Sequence, residues 1–369
     1  MTSFWEKFKF DRQQYKIQPY RRLVQFGFLA VTIWIGIEFI IFVHQLETGQ
    51  PVTVNRPPGV EAFLPIASLM ALKYWVLTGV FHMIHPAGLV LLLIISATAI
   101  FLKKGFCSWV CPIGLLSEYL ARIHVFIFNK PRTLPKWLDY PLRSLKYLLL
   151  FFFVWAVFGQ MDVFALEKFM NSPYNRVADI KMLKFFAEMS TMTARVLAGL
   201  VLLSILIRHF WCRYLCPYGA LLGSLSWISP FKIHRNPETC IDCKKCTEVC
   251  PANIQVHKEK VVLSDECHAC LQCVDACPVE DTLYFSVTKD KAKMPRWAYA
   301  VIVVGLFVIG TSVARLVGVW QNSIPLDEYR YHIKNLNGPA YYHNRGEVPD
   351  YDSGARPGTQ SSGIYKKNP

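Results

Sequence analysis

The chain has 369 residues, 53% of them hydrophobic, and carries 40 Lys and Arg against 26 Asp and Glu for a net charge of +14. A soluble protein this basic is normally less apolar, and no basic helix or aromatic RNA-binding motif accompanies the charge, so its composition argues against a nucleic-acid partner. Apolar spans flanked by basic loops account for both numbers. All 12 cysteines fall in regular motifs, which in a long chain points to metal ligation rather than to a secreted disulfide framework.

Residues 1–22 are basic and aromatic, with Lys7, Lys9, Arg12, Lys16, Arg21 and Arg22. The apolar run Leu23–Leu46 follows. It exceeds the ~20 residues that cross a bilayer. It is too long for a signal-peptide core and has no small-residue cleavage site, so it reads as a retained first span. Glu38 lies inside it; a carboxylate there is costly and marks either a proton or quinone site or a hydrogen-bonded structural group. Arg56 and Glu61 flank Pro57-Pro58-Gly59, a rigid loop placed to close a pocket. The stretch 61–80 is apolar but interrupted by Pro65 and Lys73, and reads as a re-entrant or interfacial helix.

Further spans are expected at about 85–103, 143–160, 194–211 and 296–319. His82 and His85 precede the second span and His44 ends the first, so the three are placed to cluster on one side. They are candidates for quinone or proton transfer; interfacial histidines are the plain alternative, and a b-type haem held by two of them is disfavoured. Five spans put the ends of the chain on opposite sides. Segments 1–22, 103–146 and 208–296 hold 26 of the 40 Lys and Arg. The positive-inside rule therefore assigns them, with the cysteine motifs, to the cytoplasm.

Cys107-x3-Cys111-Pro112-x-Gly114 follows the second span, and Cys212-x3-Cys216-Pro217-x-Gly219 follows the fourth, at an offset of 105 residues. Each proline stands where a new helix tolerates it, at the first position. Both motifs leave a span running the same way, so the repeat implies a pseudo-twofold axis along the membrane normal. Helix starts are expected to lower thiol pKa and favour thiolate. Three readings compete for these four cysteines: a third metal centre of iron–sulfur type, reactive thiol pairs, or small apolar packing residues. Arg208 and His209, just before the second motif, read as snorkelling side chains at the interface.

Between the fourth and fifth spans, Cys240-x2-Cys243-x2-Cys246-x3-Cys250-Pro251 recurs as Cys267-x2-Cys270-x2-Cys273-x3-Cys277-Pro278. This is the bacterial two-cluster spacing, in which the fourth cysteine of each run ligates the other cluster. One 4Fe–4S cluster is expected on Cys240, Cys243, Cys246 and Cys277, and the other on Cys267, Cys270, Cys273 and Cys250. Four-cysteine zinc sites instead use separated C-x2-C pairs. Ile254–Val256, Val261–Leu263 and Leu283–Val287 read as short strands closing the module. His268 reads as a solvent-facing spacer, with tuning of the neighbouring cluster as the alternative. Beyond the last span, the tail 320–369 contains Tyr329, Tyr331, Tyr341, Tyr342 and Tyr351 among Gly, Pro and Asn. It reads as an extended arm that either docks a partner or stays solvated.

The expected architecture is an α-helical membrane protein of about five transmembrane helices with an internal pseudo-repeat, joined to a small α+β ferredoxin-like domain. Its segments are a cytoplasmic 1–22, a membrane domain 23–230, a cytoplasmic ferredoxin domain 231–293, a last span 294–319 and an extracytoplasmic tail 320–369. Two C-x3-C-P motifs at span ends combined with a two-cluster ferredoxin run resemble the NapH/NosR/CcoG group of membrane polyferredoxins, in layout closest to its NapH-like and YccM-like members. The resemblance covers roughly residues 20–290. It implies electron transfer in a bacterial inner membrane between the quinone pool and redox protein subunits, often in anaerobic respiration. The chain departs from the group in having no large extracytoplasmic flavin domain as in NosR-type members, no strand-rich C-terminal domain as in CcoG-type members, and a fifth span with a tail. Two alternatives stand beside this reading. One is a copper or other metal reductase or assembly factor using the C-x3-C-P thiolates, since soft sulfur selects reduced copper. The other is a redox-sensing membrane regulator.

Overall fold

The computed structural model describes residues 17–129, 134–287, 294–295 and 297–341, with the backbone of 364–365. Lys7, Lys9, Arg12 and Lys16 and the tail residues Tyr342 and Tyr351 fall outside the described residues.

Helix α1 (Gln18–Thr48) has 31 residues. At 1.5 Å per residue it exceeds a hydrocarbon core of about 30 Å. Leu23, Ile33, Trp34, Ile37 and Ile40 along it are exposed, as side chains facing lipid are. A 3-10 turn (Pro58–Phe63) and α2 (Pro65–Thr78) follow; α2 opens on proline and closes on Gly79 at φ +70°, the left-handed stop that glycine takes without strain. The two-residue strand β1 (Phe81–His82) pairs antiparallel with Ile364–Tyr365. Then come α3 (Pro86–Leu102), α4 (Pro112–Phe128) and α5 (Lys136–Val154), which runs into a π turn at Trp155–Gln160. After these come α6 (Val163–Met170), α7 (Ala178–Ala187), α8 (Thr191–Leu206), α9 (Pro217–Leu225), α10 (Ala298–Leu316) and α11 (Leu326–Lys334).

Among the described residues, three helices are long and apolar enough to cross a membrane: Gln18–Thr48, Trp137–Gln160 and Ala298–Leu316. They coincide with the first, third and fifth expected spans. The second expected span is α3, an apolar helix of 17 residues, a few residues below the usual crossing length. The fourth contains α8, which ends at Leu206 and meets α7 at 80° across a short break.

The chain packs as two compact units. The first comprises the described parts of 1–30, 95–150 and 194–307, and the second those of 31–94, 151–193 and 308–369. The first unit holds every cysteine. Its sheet has the order β3-β2-β4, with β2 (Lys232–Arg235) central between β3 (Val261–Val262) and β4 (Leu283–Ser286). Ile233 pairs with Val262 on one side and Phe285 on the other. The central strand was not expected. The expected strand Ile254–Val256 is instead a loop entering a 3-10 turn at Val256–Lys258.

Among the described residues, the second unit has two apolar cores. One gathers Met70, Tyr74, Leu89, Val157, Leu166 and Met170. The other packs Phe39, Phe42, Val43 and Leu46 of α1 against Val177, Ile180, Tyr329, Ile333, Leu336 and Tyr341. The beginning of the tail is therefore not an extended arm. Residues Leu326–Lys334 form a helix whose Tyr329 ring meets Phe42 edge-on at 5.6 Å.

Candidate iron–sulfur centres

The two ferredoxin loops fold alike. Asp242 and Lys244 in the first and Ala269 and Leu271 in the second all have positive φ, between 47° and 59°. Left-handed residues that are not glycine are costly and persist where the surroundings hold them. Here they turn successive amides to one side, the nest geometry found around iron–sulfur sites. Two cavities of nearly equal size result. One, of about 340 Å³, is lined by Cys240, Cys243, Cys246 and Cys277 with Ile241, Val279 and Leu283. The other, of about 330 Å³, is lined by Cys250, Cys267, Cys270 and Cys273 with Ile233, Ile254 and Val262. Four thiols, apolar walls and inward amides are a donor set that fits a cubane cluster. The cavities differ in access: Cys250, Cys267, Cys270 and Cys273 are all buried, whereas Cys243 is exposed and Cys240 and Cys277 are half-buried.

The C-x3-C-P motifs form matching turns. Cys111 and Cys216 are the N-caps of α4 and α9, each with extended backbone and proline at the next position. The Cys216 sulfur accepts the Gly219 amide at 3.3 Å. Gly114 is demanded by the fold, because a Cβ there would stand 2.0 Å from the Cys107 carbonyl oxygen; at Gly219 the nearest atom would be 3.6 Å away. Cys107 lies within electrostatic reach of Cys111, Cys212 and Cys216, so the two turns bring the four thiols together. Burial pushes the Cys111 thiol up to about 11 and the Cys212 thiol to about 12. At Cys111 the expectation that a helix start would favour thiolate is thus reversed. Desolvation outweighs the two amides, of Ile113 and Gly114, that stabilise the Cys111 anion. Among the described residues, no three His, Cys, Asp or Glu side chains are grouped to hold one metal ion.

Hydrogen bonds tie both turns to the buried ferredoxin cavity. Ser108 Oγ donates to the His268 carbonyl (2.7 Å) and Trp109 Nε1 to the Ala269 carbonyl (3.0 Å). Arg213 Nη1 donates to the Ala252 carbonyl (2.7 Å) while its other nitrogens grip Asp139 (2.8 and 3.0 Å). Gln18 Nε2 donates to the Cys270 carbonyl (2.9 Å). Arg21 joins Glu118 to the Ser108 carbonyl. Trp109 is fully buried and stacks on Tyr299 at 4.5 Å. Tyr299 is itself within electrostatic reach of Cys267, Cys270 and Cys107.

Buried charge surrounds this junction. Glu266 pairs with Lys146 and with Arg143 (3.3 Å), and Lys103 Nζ donates to the carbonyls of Val262 (2.9 Å) and Ser264 (3.0 Å). Burial works against the charge on Lys104, but Glu266, Cys107, Asp265 and Cys216 outweigh it and hold its pKa above the ordinary value. His268 is not a solvent-facing spacer. It lines the buried cavity, and burial together with Lys104 depresses its pKa far below the usual imidazole range. His209 is likewise buried rather than snorkelling, and its Nδ1 meets Ser117 Oγ at 3.0 Å. Arg208 also keeps a buried Nε without a partner.

The proposed quinone or proton residues lie in the second unit. Glu38 is half-buried, while His44 is exposed and does not join His82 and His85, which are both buried. Burial and the neighbouring His85 hold His82 at about 4. His85 Nε2 meets the Asn175 carbonyl at 2.5 Å, and its Nδ1 lies 3.6 Å from Glu61 Oε1. Glu61 also accepts from Arg56 (2.8 Å) and the Gly88 amide (2.8 Å), and Arg56 reaches Asp179 at 2.6 Å. Arg56 and Glu61 thus do come together. Their partner Asp179 carried no sequence signal, because nothing in the local pattern separates it from a surface aspartate.

Comparison with known proteins agrees with the cysteine pattern. The 4Fe-4S binding domain family matches residues 84–131 and 192–236, one match on each C-x3-C-P turn, and the 4Fe-4S dicluster domain family matches 232–278. The chain is similar to the candidate electron-transport protein YccM of Escherichia coli K12, with 44% identity over 317 residues, covering 84% of this chain and 88% of YccM. It is 29% identical to the ferredoxin-type protein NapH of the same strain, covering 47% of this chain and 59% of NapH. It is 27% identical to the regulatory protein NosR of Stutzerimonas stutzeri, covering 51% of this chain and 25% of NosR. No solved structure matches. With apolar helices, iron–sulfur domains and these relatives, the chain belongs to the NapH/NosR-type family of membrane polyferredoxins, a family of electron-transport proteins.

Proposed function

We propose that the chain carries electrons between the quinone pool, or a partner in the membrane, and a redox protein that meets its exposed cysteine set, as a subunit of a respiratory complex. The supporting observation is the order of thiol groups through the first unit. The C-x3-C-P turns are bonded through Ser108, Trp109 and Arg213 to the loops bearing Cys267, Cys270, Cys273 and Cys250. Beside that buried set stands the more exposed one of Cys240, Cys243, Cys246 and Cys277. On this reading Cys107, Cys111, Cys212 and Cys216 hold a third iron–sulfur centre and the eight ferredoxin cysteines hold two cubanes with crossed ligands. The bound groups supply one-electron carriage. The protein's own part is to fix the thiols, exclude water with Trp109 and Tyr299, and leave one set accessible.

The second unit supports a quinone or proton site at His82 and His85, extended by Glu61 and Arg56, with Glu38 as a further candidate. His82 Nε2 and Arg56 Nη2 are buried without a hydrogen-bond partner, as groups awaiting a ligand or water are. The charge distribution supports a cytoplasmic ferredoxin module and an extracytoplasmic C-terminal end on five spans. A reporter fused at the C-terminus is expected to be active only outside the cytoplasm; activity inside removes the five-span reading.

Anaerobic purification with iron analysis and electron paramagnetic resonance tests the centres. About twelve iron atoms per chain are expected. Replacing Cys107 and Cys212 with Ser should bring the count to about eight and remove one paramagnetic signal. Unchanged iron and spectra would sink the third centre. Rapid reduction of the clusters by a quinol analogue tests the quinone link, and its absence in Glu61→Gln and His85→Ala ties that link to the second unit.

A further inference from the structure

Among the described residues, five lysines are buried: Lys73, Lys103, Lys104, Lys146 and Lys232. Four of them donate to backbone carbonyls or to Glu266. Among the described residues, Lys104 is the buried lysine whose ammonium has no hydrogen-bond partner, although it is only 1% exposed. An ammonium carries three donors, and leaving a buried charge unpaired is among the costliest arrangements a fold tolerates. The acidic groups and thiols that face it include Glu266, Asp265, Cys107 and Cys216, with Cys212, His268 and Lys146 also in its field. One thiol comes from each C-x3-C-P turn, and the carboxylates precede Cys267 of the buried ferredoxin set. The ammonium thus stands where sulfur of a bound cluster supplies the acceptors that the protein withholds.

We propose that Lys104 is the positioning charge of the C-x3-C-P centre: its ammonium hydrogen-bonds sulfur of the group held by Cys107, Cys111, Cys212 and Cys216 and raises that group's reduction potential. The inference rests on the third-centre reading above. The centre takes up one electron and later gives it up; no bond forms or breaks, and Lys104 keeps its proton throughout. A fixed positive charge favours the more negative, reduced form. Glu266, the first of the carboxylates that Lys104 faces, acts in the opposite sense. The pair therefore sets the driving force between this centre and the buried ferredoxin set, whose Cys267 follows Glu266 directly.

The test is a redox titration of the purified full chain in detergent, followed by paramagnetic resonance, with iron counted in each sample. Lys104→Met is expected to shift the reduced-to-oxidised ratio of the third signal about tenfold toward oxidised at a fixed potential, about 59 mV for a one-electron couple. Lys104→Arg should leave the ratio near that of the unaltered chain. Glu266→Gln, nearly isosteric, should move it the other way, and it decides the matter if Lys104→Met fails to retain iron. A third signal whose midpoint is the same in all three variants overturns the role of Lys104 and leaves the third centre standing. Iron near eight with no third signal in the unaltered chain overturns both.

Discussion

Gly114 and Gly219 occupy the same place in the two C-x3-C-P repeats, yet alanine should act differently at each. A Cβ at residue 114 would sit 2.0 Å from the Cys107 carbonyl oxygen, and one at residue 219 no closer than 3.6 Å to any atom beyond its immediate neighbours. Ordinary contact lies near 3.4 Å or beyond, so the first turn must open by more than about 1 Å against a backbone atom. Overpacking of this kind costs about 1–3 kcal/mol. At residue 219 alanine meets ordinary contact and gains the roughly 0.5–1 kcal/mol by which alanine exceeds glycine inside a helix. The two variants should differ by at least about 1.5 kcal/mol, and the loss at 114 falls on the carbonyl of a cysteine. Gly114→Ala is therefore expected to lower iron and the third paramagnetic signal while Gly219→Ala retains both. Iron content, signal intensity and thermal stability of both variants in detergent are the assay. Equal behaviour of the two, in either direction, would refute the geometry assigned to the first turn.

Iron should leave in two phases under a chelator, first from the set with exposed Cys243 and then from the buried one; a single phase would contradict the difference in access. Glu118→Gln removes the charge opposite the buried Arg21 guanidinium, which keeps its bonds to Ser108 and Gln18, and should lower the melting temperature by the loss of about 1–3 kcal/mol. The Arg21 and Arg122 charges beside it overcome the cost of burial and bring the Glu118 carboxyl from 4.5 to about 2. Its contribution to stability is therefore full above the ordinary carboxylate range and is lost as pH falls toward 2. That acid-dependent loss, followed by tryptophan fluorescence, should vanish in Glu118→Gln. Ending the chain after Val319 removes Tyr329, Ile333, Leu336 and Tyr341 from the core around Phe42. The shortened protein should accumulate poorly in membranes, whereas accumulation at the normal level would mean that the tail does not hold that core.

The cysteine motifs were legible because spacing alone dictates them, and the three strongest spans because length and hydropathy dictate those. Features that depend on what packs against a residue were not. Nothing local to His268 or His209 reveals that both turn inward, His268 toward Lys104. The central strand Lys232–Arg235 is too short and too charged to signal itself; it exists because two neighbours flank it. The tail helix did carry a signal, with Tyr329, Ile333 and Leu336 at helical spacing after Pro325, but scattered Gly, Pro and Asn masked it. The thiol acidity was misjudged for a physical reason: a helix start acts over one turn, while burial acts on the whole group.

The anchoring of Trp109 and Arg213 onto the loops at Ala269 and Ala252 has a consequence for biogenesis. These bonds join the C-x3-C-P turns to the loops around Cys250, Cys267, Cys270 and Cys273, all of them buried. If those cysteines hold a cluster, as proposed, insertion is easier before the turns dock than after. Loading of the undocked ferredoxin segment would then precede docking.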